Sequence, residues 1–360
     1  MSPSAAAPVP EHRPAPASVP APALPSLDEV LAGARVVRLP LRTRFRGVTE
    51  REALLVEGPR GWTEFSPFVE YGPDEAAAWL AATLDFGWGA EPPVRADHVE
   101  VNATLPAVAA EDVPAVLSRY RGCRTVKVKV AEPGGSLADD VARVAAARRW
   151  VGDDGAVRVD ANAAWTVDAA LAAAAALAPY DLQYLEQPCA TVPELAELRR
   201  RLDGRVLVAA DESVRRAEDP LAVARAGAAD LLVVKAQPLG GVTAALRIVE
   251  AAGLPVVVSS AIDTSVGLSM GAHLAAAAPG VAYACGLGTA ALLAADVTAE
   301  PLAPVGGSIE VRRIDVDPDL LRRHAVDDGR RSWWLERVRS AWDAAVERSA
   351  ADAAGGHSPE

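Results

Sequence analysis

Hydrophobic and polar positions along the chain change rhythm near residue 98. Before it, an apolar run at Val36–Leu41 is followed by Ala53–Glu57, a Gly58–Gly61 turn and Trp62–Phe68. Runs joined by a Gly-Pro-Arg-Gly turn read as a β-hairpin. A helix is expected from Asp74 through Trp79 to Phe86, which makes this part a small α+β unit. Beyond residue 98, short apolar runs alternate with amphipathic stretches. The runs are Val99–Leu105, Thr125–Val130, Ala156–Asp160, Leu182–Glu186, Arg205–Asp211, Leu231–Lys235, Pro255–Ser260 and Val281–Gly286. Ser136 and Thr191, each with an acid three residues on, have the spacing of helix capping boxes. Gly152, Gly204, Gly227 and Gly253 stand where helices should stop. Eight strands alternating with helices predict a (β/α)8-type barrel. After residue 305, Ile309–Val311 reads as a short strand. An amphipathic helix follows, with Trp334, Val338, Ala341, Trp342 and Ala345 on one face. That segment should fold back on the barrel or on the N-terminal unit.

Composition adds boundaries. Residues 1–26 hold eight of the 28 prolines and are otherwise mostly small, which predicts a disordered tail without the pattern of a signal peptide. Residues 349–360 read as a second tail. The expected division is a capping unit over 27–97, a barrel over 98–304 and a C-terminal segment over 305–348 packing on cap or barrel. A net charge of −12 argues against nucleic acid or an anionic membrane as partner. No apolar run reaches the roughly 20 residues that cross a bilayer. Cys123, Cys189 and Cys285 form no ligand spacing, so a reduced cytoplasm is the expected location. Gly286-Leu-Gly288 is too short for a dinucleotide fingerprint.

Lysine placement changes the picture most. Of 36 basic side chains only Lys127, Lys129 and Lys235 are lysine. A bias toward arginine explains the rarity but not why all three fall inside expected barrel strands. Arginine does not give up its proton, whereas a lysine can be tuned into a base. Acids recur at strand ends too: Asp160, Glu186 and Asp211. Intervals of 24 to 31 residues separate Lys129, Asp160, Glu186, Asp211 and Lys235, one β/α unit each, so the five should stand at equivalent heights on consecutive strands. Barrel active sites gather at the C-terminal face of the strands. Three convergent carboxylates need cations between them or must be partly protonated. Oxygen donors without His or Cys suit Mg2+. The alternative is a polar barrel core in which Lys and Arg neutralise the acids.

Other features carry less. His273 is expected inside a helix interface, and His12, His98, His324 and His357 form no constellation. Gly240-Gly241 fits a phosphate cradle or an ordinary βα turn, and Trp165 reads as a packing residue.

As a set, Lys127-Val-Lys129, Asp160-Ala-Asn162, Glu186-Gln-Pro188, Asp211-Glu-Ser213-Val214 and Lys235 resemble the enolase superfamily, in its muconate-lactonizing-enzyme-like subgroup. Arg44-Phe-Arg-Gly47, Ser259-Ser-Ala-Ile262 and Ala284-Cys-Gly-Leu-Gly-Thr289 point within it to the dehydratase branch of menaquinone biosynthesis. The resemblance spans about residues 35 to 310. It implies an α/β architecture, a modified barrel with an α+β cap built from the N-terminal segment and part of the C-terminal one. It also implies syn dehydration of 2-succinyl-6-hydroxy-2,4-cyclohexadiene-1-carboxylate. Asp160, Glu186 and Asp211 would hold Mg2+, with Mn2+ as a substitute, and a small carboxylate substrate would bind the metal. Lys129 would remove the α-proton and Lys235 would stabilise the enediolate. Lys127, Arg158, Asn162, Ser260 and Gly286 would support or contact substrate, and residues 42–48 would close over its ring. Nothing fixes the oligomeric state, and a monomer is compatible. N-succinylamino acid racemase, dipeptide epimerase and cycloisomerase chemistry share the same positions. A non-catalytic barrel serving as a binding module is the alternative from another class.

Overall fold

The computed structural model describes residues 24–45, 47–215 and 220–355. Three antiparallel strands open the cap: β1 (Arg35–Phe45), β2 (Val48–Gly58) and β3 (Gly61–Phe65). Gly58 pairs with Gly61, as the turn predicts, and Phe45 pairs with Val48 in a second hairpin. Most of the 42–48 segment is therefore hairpin rather than free loop, with Arg46 outside the described residues. The Pro73–Trp88 helix packs on this sheet and buries Trp79, Leu80 and Phe86. The C-terminal helix, Asp328–Gly355, docks on the cap and not on the barrel. Trp334, Val338 and Ala341 are buried there, and Trp334 Nε1 donates to Glu52 at 2.8 Å. The helix runs to Gly355, into the segment from 349 that the sequence marks as a tail. The residues before 24 and after 355 lie outside the described set.

The remaining strands are β4 (His98–Glu100), β5 (Ala103–Leu105), β6 (Thr125–Lys129), β7 (Ala156–Asp160), β8 (Leu182–Glu186), β9 (Leu207–Ala210), β10 (Leu231–Val234), β11 (Val256–Val258) and β12 (Ser308–Glu310). From β5 to β11 they form one parallel sheet in chain order. The expected first barrel strand divides: its lower half, β4, pairs antiparallel with β12, and its upper half, β5, pairs with β6. The expected eighth strand does not form. Residues 281–286 instead make single parallel bridges, Val281 to Val256, Gly286 to Ser259 and Cys285 to Val101. Those bridges join β11 back to the first strand and close the barrel. Barrel closure satisfies edge groups that an open sheet would leave unpaired.

Local signals hold. Both capping boxes are made, by Ser136 with Asp139 and by Thr191 with Glu194. Gly152 and Gly253 cap helix C-termini. Gly241 precedes the Val242–Ala252 helix, but the anion at that end belongs to the protein: Asp85 of the cap accepts from Thr243 N at 3.2 Å. A Cβ on Gly241 would lie 2.5 Å from the Asp85 carboxylate. The Gly-Gly pair is a close cap–barrel contact, and no room remains for a phosphate.

Candidate active site

Strand alternation turns Lys127 and Lys129 of β6 to the barrel interior, with Arg158 and Asp160 beside them on β7. Lys129, Asp160 and Glu186 share one register level. Asp211 stands two residues above the level of Glu186, and Lys235 two above that of Asp211. Equal chain spacing thus does not mean equal register. Barrel strands tilt, so keeping to one rim requires advancing along successive strands.

One cavity below the cap is lined by Lys127, Lys129, Asp160, Asn162, Asp211, Lys235, Ser260 and Gly286. Lys127 Nζ donates to Glu186 Oε1 at 2.7 Å and lies 3.4 Å from Asp160. Lys129 Nζ is bonded to Asp160 and, at 2.6 Å, to Asn162 Oδ1. Lys235 Nζ is paired with Asp211. Asn162 sits at φ +45, which a short polar side chain tolerates, and its backbone N–H returns to Asp160 Oδ1 at 3.0 Å.

Burial opposes the charges on Lys127, Asp160 and Glu186. It would depress the Lys127 ammonium, but the Glu186 and Asp160 carboxylates hold it well above the ordinary lysine range. Burial would likewise raise Asp160, yet Lys129 and Lys127 hold it far below the usual carboxylate range. Glu186 goes the other way, pushed up to about 7 by burial and the neighbouring Asp160 charge, with Lys127 only partly offsetting them. Glu186 Oε2 is buried without a hydrogen-bond partner, a costly condition unless something else satisfies it. Three acids without His or Cys beside them have the donor chemistry of a hard divalent cation. Among the described residues no group of three or more His, Cys, Asp or Glu stands ready to hold a metal ion, and a lysine engages each of the three acids. The residues fit the ion in kind, and its binding must displace ammonium groups.

Arg158 was expected to support or contact substrate. It is fully buried, but Nη1 bonds the Tyr184 hydroxyl and Nη2 donates to Ala284 O at 3.0 Å. These contacts tie it into the barrel interior, below the residues that line the cavity. Ser260 Oγ donates to Gly286 O at 2.9 Å and lies 2.8 Å from Thr289 Oγ1.

Of the further lining residues, Thr104 escaped the sequence reading, whereas Phe45 falls in the 42–48 segment expected to close over the substrate and Thr289 ends one of the motifs that carry the resemblance. Phe45, from the cap, places its ring 5.4 Å from Lys129 Nζ. Thr104 and Thr289 also face the cavity. A polar alternation, Asn102 and Thr104, in an otherwise apolar strand was the available signal for one of them. Gln187 does not line the cavity; its Oε1 accepts from Asp211 N at 2.9 Å and from Ser213 N, fixing the end of β9. Cys189 and Cys285 are buried thiols pushed up to about 11, which argues against nucleophiles. His273 bonds Ser269 O and stacks edge-on against Phe86, a cap–barrel packing role.

A cap closing a barrel whose strand ends carry paired lysines and acids defines a class, and comparison with known proteins gives it a name. Residues 110–315 match the model of the family described as "Enolase C-terminal domain-like", and residues 36–87 that described as "Enolase N-terminal domain-like". The chain belongs to the enolase superfamily. It is 55% identical over 326 residues to the o-succinylbenzoate synthase of Mycobacterium tuberculosis (strain ATCC 25618 / H37Rv), covering 90% of this chain and 98% of the relative. The o-succinylbenzoate synthase of Mycobacterium ulcerans (strain Agy99) is 53% identical over 332 residues, with 92% and 99% covered. Among solved structures, muconate lactonizing enzyme from Pseudomonas putida superposes with a TM-score of 0.68 at 21% identity, covering 81% of this chain and 98% of that one. N-succinyl Arg/Lys racemase from Bacillus cereus ATCC 14579 gives 0.67 at 20% identity, with 82% and 97% covered. These two similarities speak to the fold alone.

Proposed function

We propose that this chain dehydrates 2-succinyl-6-hydroxy-2,4-cyclohexadiene-1-carboxylate to o-succinylbenzoate, a step of menaquinone biosynthesis, as a carbon–oxygen lyase. One observation carries the reading: near-full-length identity to relatives bearing that name, in a chain whose cavity holds two lysines paired with separate strand-end acids. A divalent cation, Mg2+ or in its place Mn2+, would be held by Asp160, Glu186 and Asp211 and would supply positive charge to the substrate carboxylate as acidity develops at the α-carbon.

The chain's own groups do the rest. Were Asp160 to hold the cation, its hold on Lys129 would weaken, which would favour the free amine needed of a base. Asn162 Oδ1 keeps Lys129 Nζ aimed into the cavity. Lys129 takes the α-proton, and the C–H electrons move onto the carboxylate. The same nitrogen, now an ammonium, gives that proton to the departing hydroxyl; the enediolate electrons return to form the ring C=C bond as the C–O bond breaks, and water leaves from the same face. Lys235, which lines the same cavity beside Asp211, would supply positive charge next to the developing enediolate. Lys127 neutralises Glu186 and Asp160 from below. Phe45 covers Lys129 from the cap and limits entry of water.

Racemisation of an N-succinylamino acid would need both lysines to move protons, one from each face. Catalytic efficiency measured on the cyclohexadiene substrate and on N-succinylamino acids, with deuterium exchange from solvent into the latter, tests the assignment. Dehydration should be the more efficient reaction. A higher efficiency in racemisation would overturn the proposal and leave the lysine roles standing.

A further inference from the structure

Beyond β11 the chain bends across the site, and Ser259, Ser260, Ala261 and Ile262 all line the cavity. Ile262 has φ +61. For a β-branched side chain that is a true outlier, and such residues persist only where surroundings over-determine them. Glycine would adopt this backbone without strain, so the wall's shape is held from outside.

The holding groups are on the cap. Arg51 of β2 is 3% exposed, and its Nε donates to Ile262 O at 3.3 Å. One terminal nitrogen donates to Ser66 O, and the guanidinium lies 4.4 Å over the Phe68 ring. From the other side, Asp263 Oδ2 accepts from Ala261 N at 3.2 Å while Oδ1 accepts from Gln237 Nε2 at 3.1 Å. Both peptides flanking the turn are thus fixed, one by a cap residue. A planar guanidinium can bridge two carbonyls of separate segments and lie flat on a ring, which an ammonium cannot.

We infer that Arg51 is a positioning residue for the dehydration proposed above: from the cap it clamps the strained Ile262 peptide and so sets the wall formed by residues 260–262. The inference rests on that reading of function only for its kinetic part. A wall displaced by a fraction of an ångström misaligns the α-carbon with Lys129. The clamp also makes the finished site depend on cap docking.

The test pairs Arg51→Lys with Ile262→Gly. Arg51→Lys alone should lower kcat about 10- to 100-fold, the range set by strain of this kind, with Mg2+ affinity unchanged. In the Ile262→Gly background, where φ +61 costs nothing, the same replacement should cost less than about threefold. Amide exchange by mass spectrometry should rise in residues 259–264 of Arg51→Lys, while the Pro73–Trp88 and Ser265–Ala277 helices stay protected. Equal kinetic losses in both backgrounds, or unchanged exchange at 259–264, would overturn the clamp. If Arg51→Lys fails to fold, Arg51→Gln, which keeps one donor, is read in its place. If the wild type does not dehydrate the cyclohexadiene at all, the functional reading fails, and the exchange measurement alone decides the clamp.

Discussion

Two buried ionic clusters lie where the cap meets the barrel, and they use different cations. At the strand ends, Lys127, Lys129 and Lys235 face Asp160, Glu186 and Asp211 around a cavity. A few residues away, Arg51 lies with Glu64 and Asp263 in a closed network. Glu64 Oε2 accepts from Thr264 N, Thr264 Oγ1 and Gly267 N, and its Oε1 from Ser66. A cap carboxyl group thereby caps the N-terminus of the Ser265–Ala277 helix by accepting from Thr264 N and Gly267 N. Both Glu64 oxygens are satisfied, whereas Glu186 Oε2 has no hydrogen-bond partner. A cluster that only holds parts together can use a guanidinium and fill every hydrogen bond. A cluster that must trade protons needs ammonium groups, space and an incomplete shell.

Charge-preserving swaps should separate the two most widely. Lys129→Arg keeps a cation but removes a usable base, so kcat should fall about 10³- to 10⁴-fold while the protein still folds. Lys127→Arg should lose far less, since its work is electrostatic. Steady-state kinetics with circular dichroism checks this; small and equal losses at both sites would make the strand-end cluster another structural network. Next in size are the acids. Asp160→Asn, Glu186→Gln or Asp211→Asn should each weaken Mg2+ binding, read by calorimetry, and cut turnover roughly 10²- to 10³-fold. Full activity in excess chelator would refute the metal role.

The closed cluster predicts a pH effect of definite sign. Burial and the Asp263 charge push Glu64 up from 4.5 to about 7, its hydrogen bonds and Arg51 offsetting them only in part. The folded state therefore holds this proton more tightly than the unfolded chain. Its contribution to stability is complete below about pH 4.5 and is lost as pH rises through about 7. The loss should reach up to roughly 3 kcal/mol. Urea unfolding from pH 5 to 8 should show this decline, and Glu64→Gln, fixed in the neutral form, should make it shallower, leaving the part contributed by Glu186, which is also pushed up to about 7. An identical pH slope in both proteins would show that Glu64 does not carry the proton. The smallest effect belongs to Asp85, which caps the Val242–Ala252 helix from the cap. Asp85→Ala should cost about 1 kcal/mol by the same unfolding assay.

Much of this molecule was legible one residue at a time. The β/α alternation, both capping boxes, the Gly58–Gly61 hairpin and the strand-end placement of Lys129, Asp160, Glu186, Asp211 and Lys235 follow from periodicity and residue chemistry, because each depends on neighbours within one element. The broken first strand, the missing eighth strand and the staggered register of Asp211 and Lys235 were not legible, because barrel tilt and closure arise only between strands. Docking of the Asp328–Gly355 helix on the cap was left open by its pattern, since an apolar face states that it will be buried and not against what. Arg51, Glu64 and Asp263 carried no signal at all. Their partners lie as far as 211 residues away along the chain, and a buried arginine or glutamate declares its role only when the tertiary structure brings a strained peptide or a helix end to it.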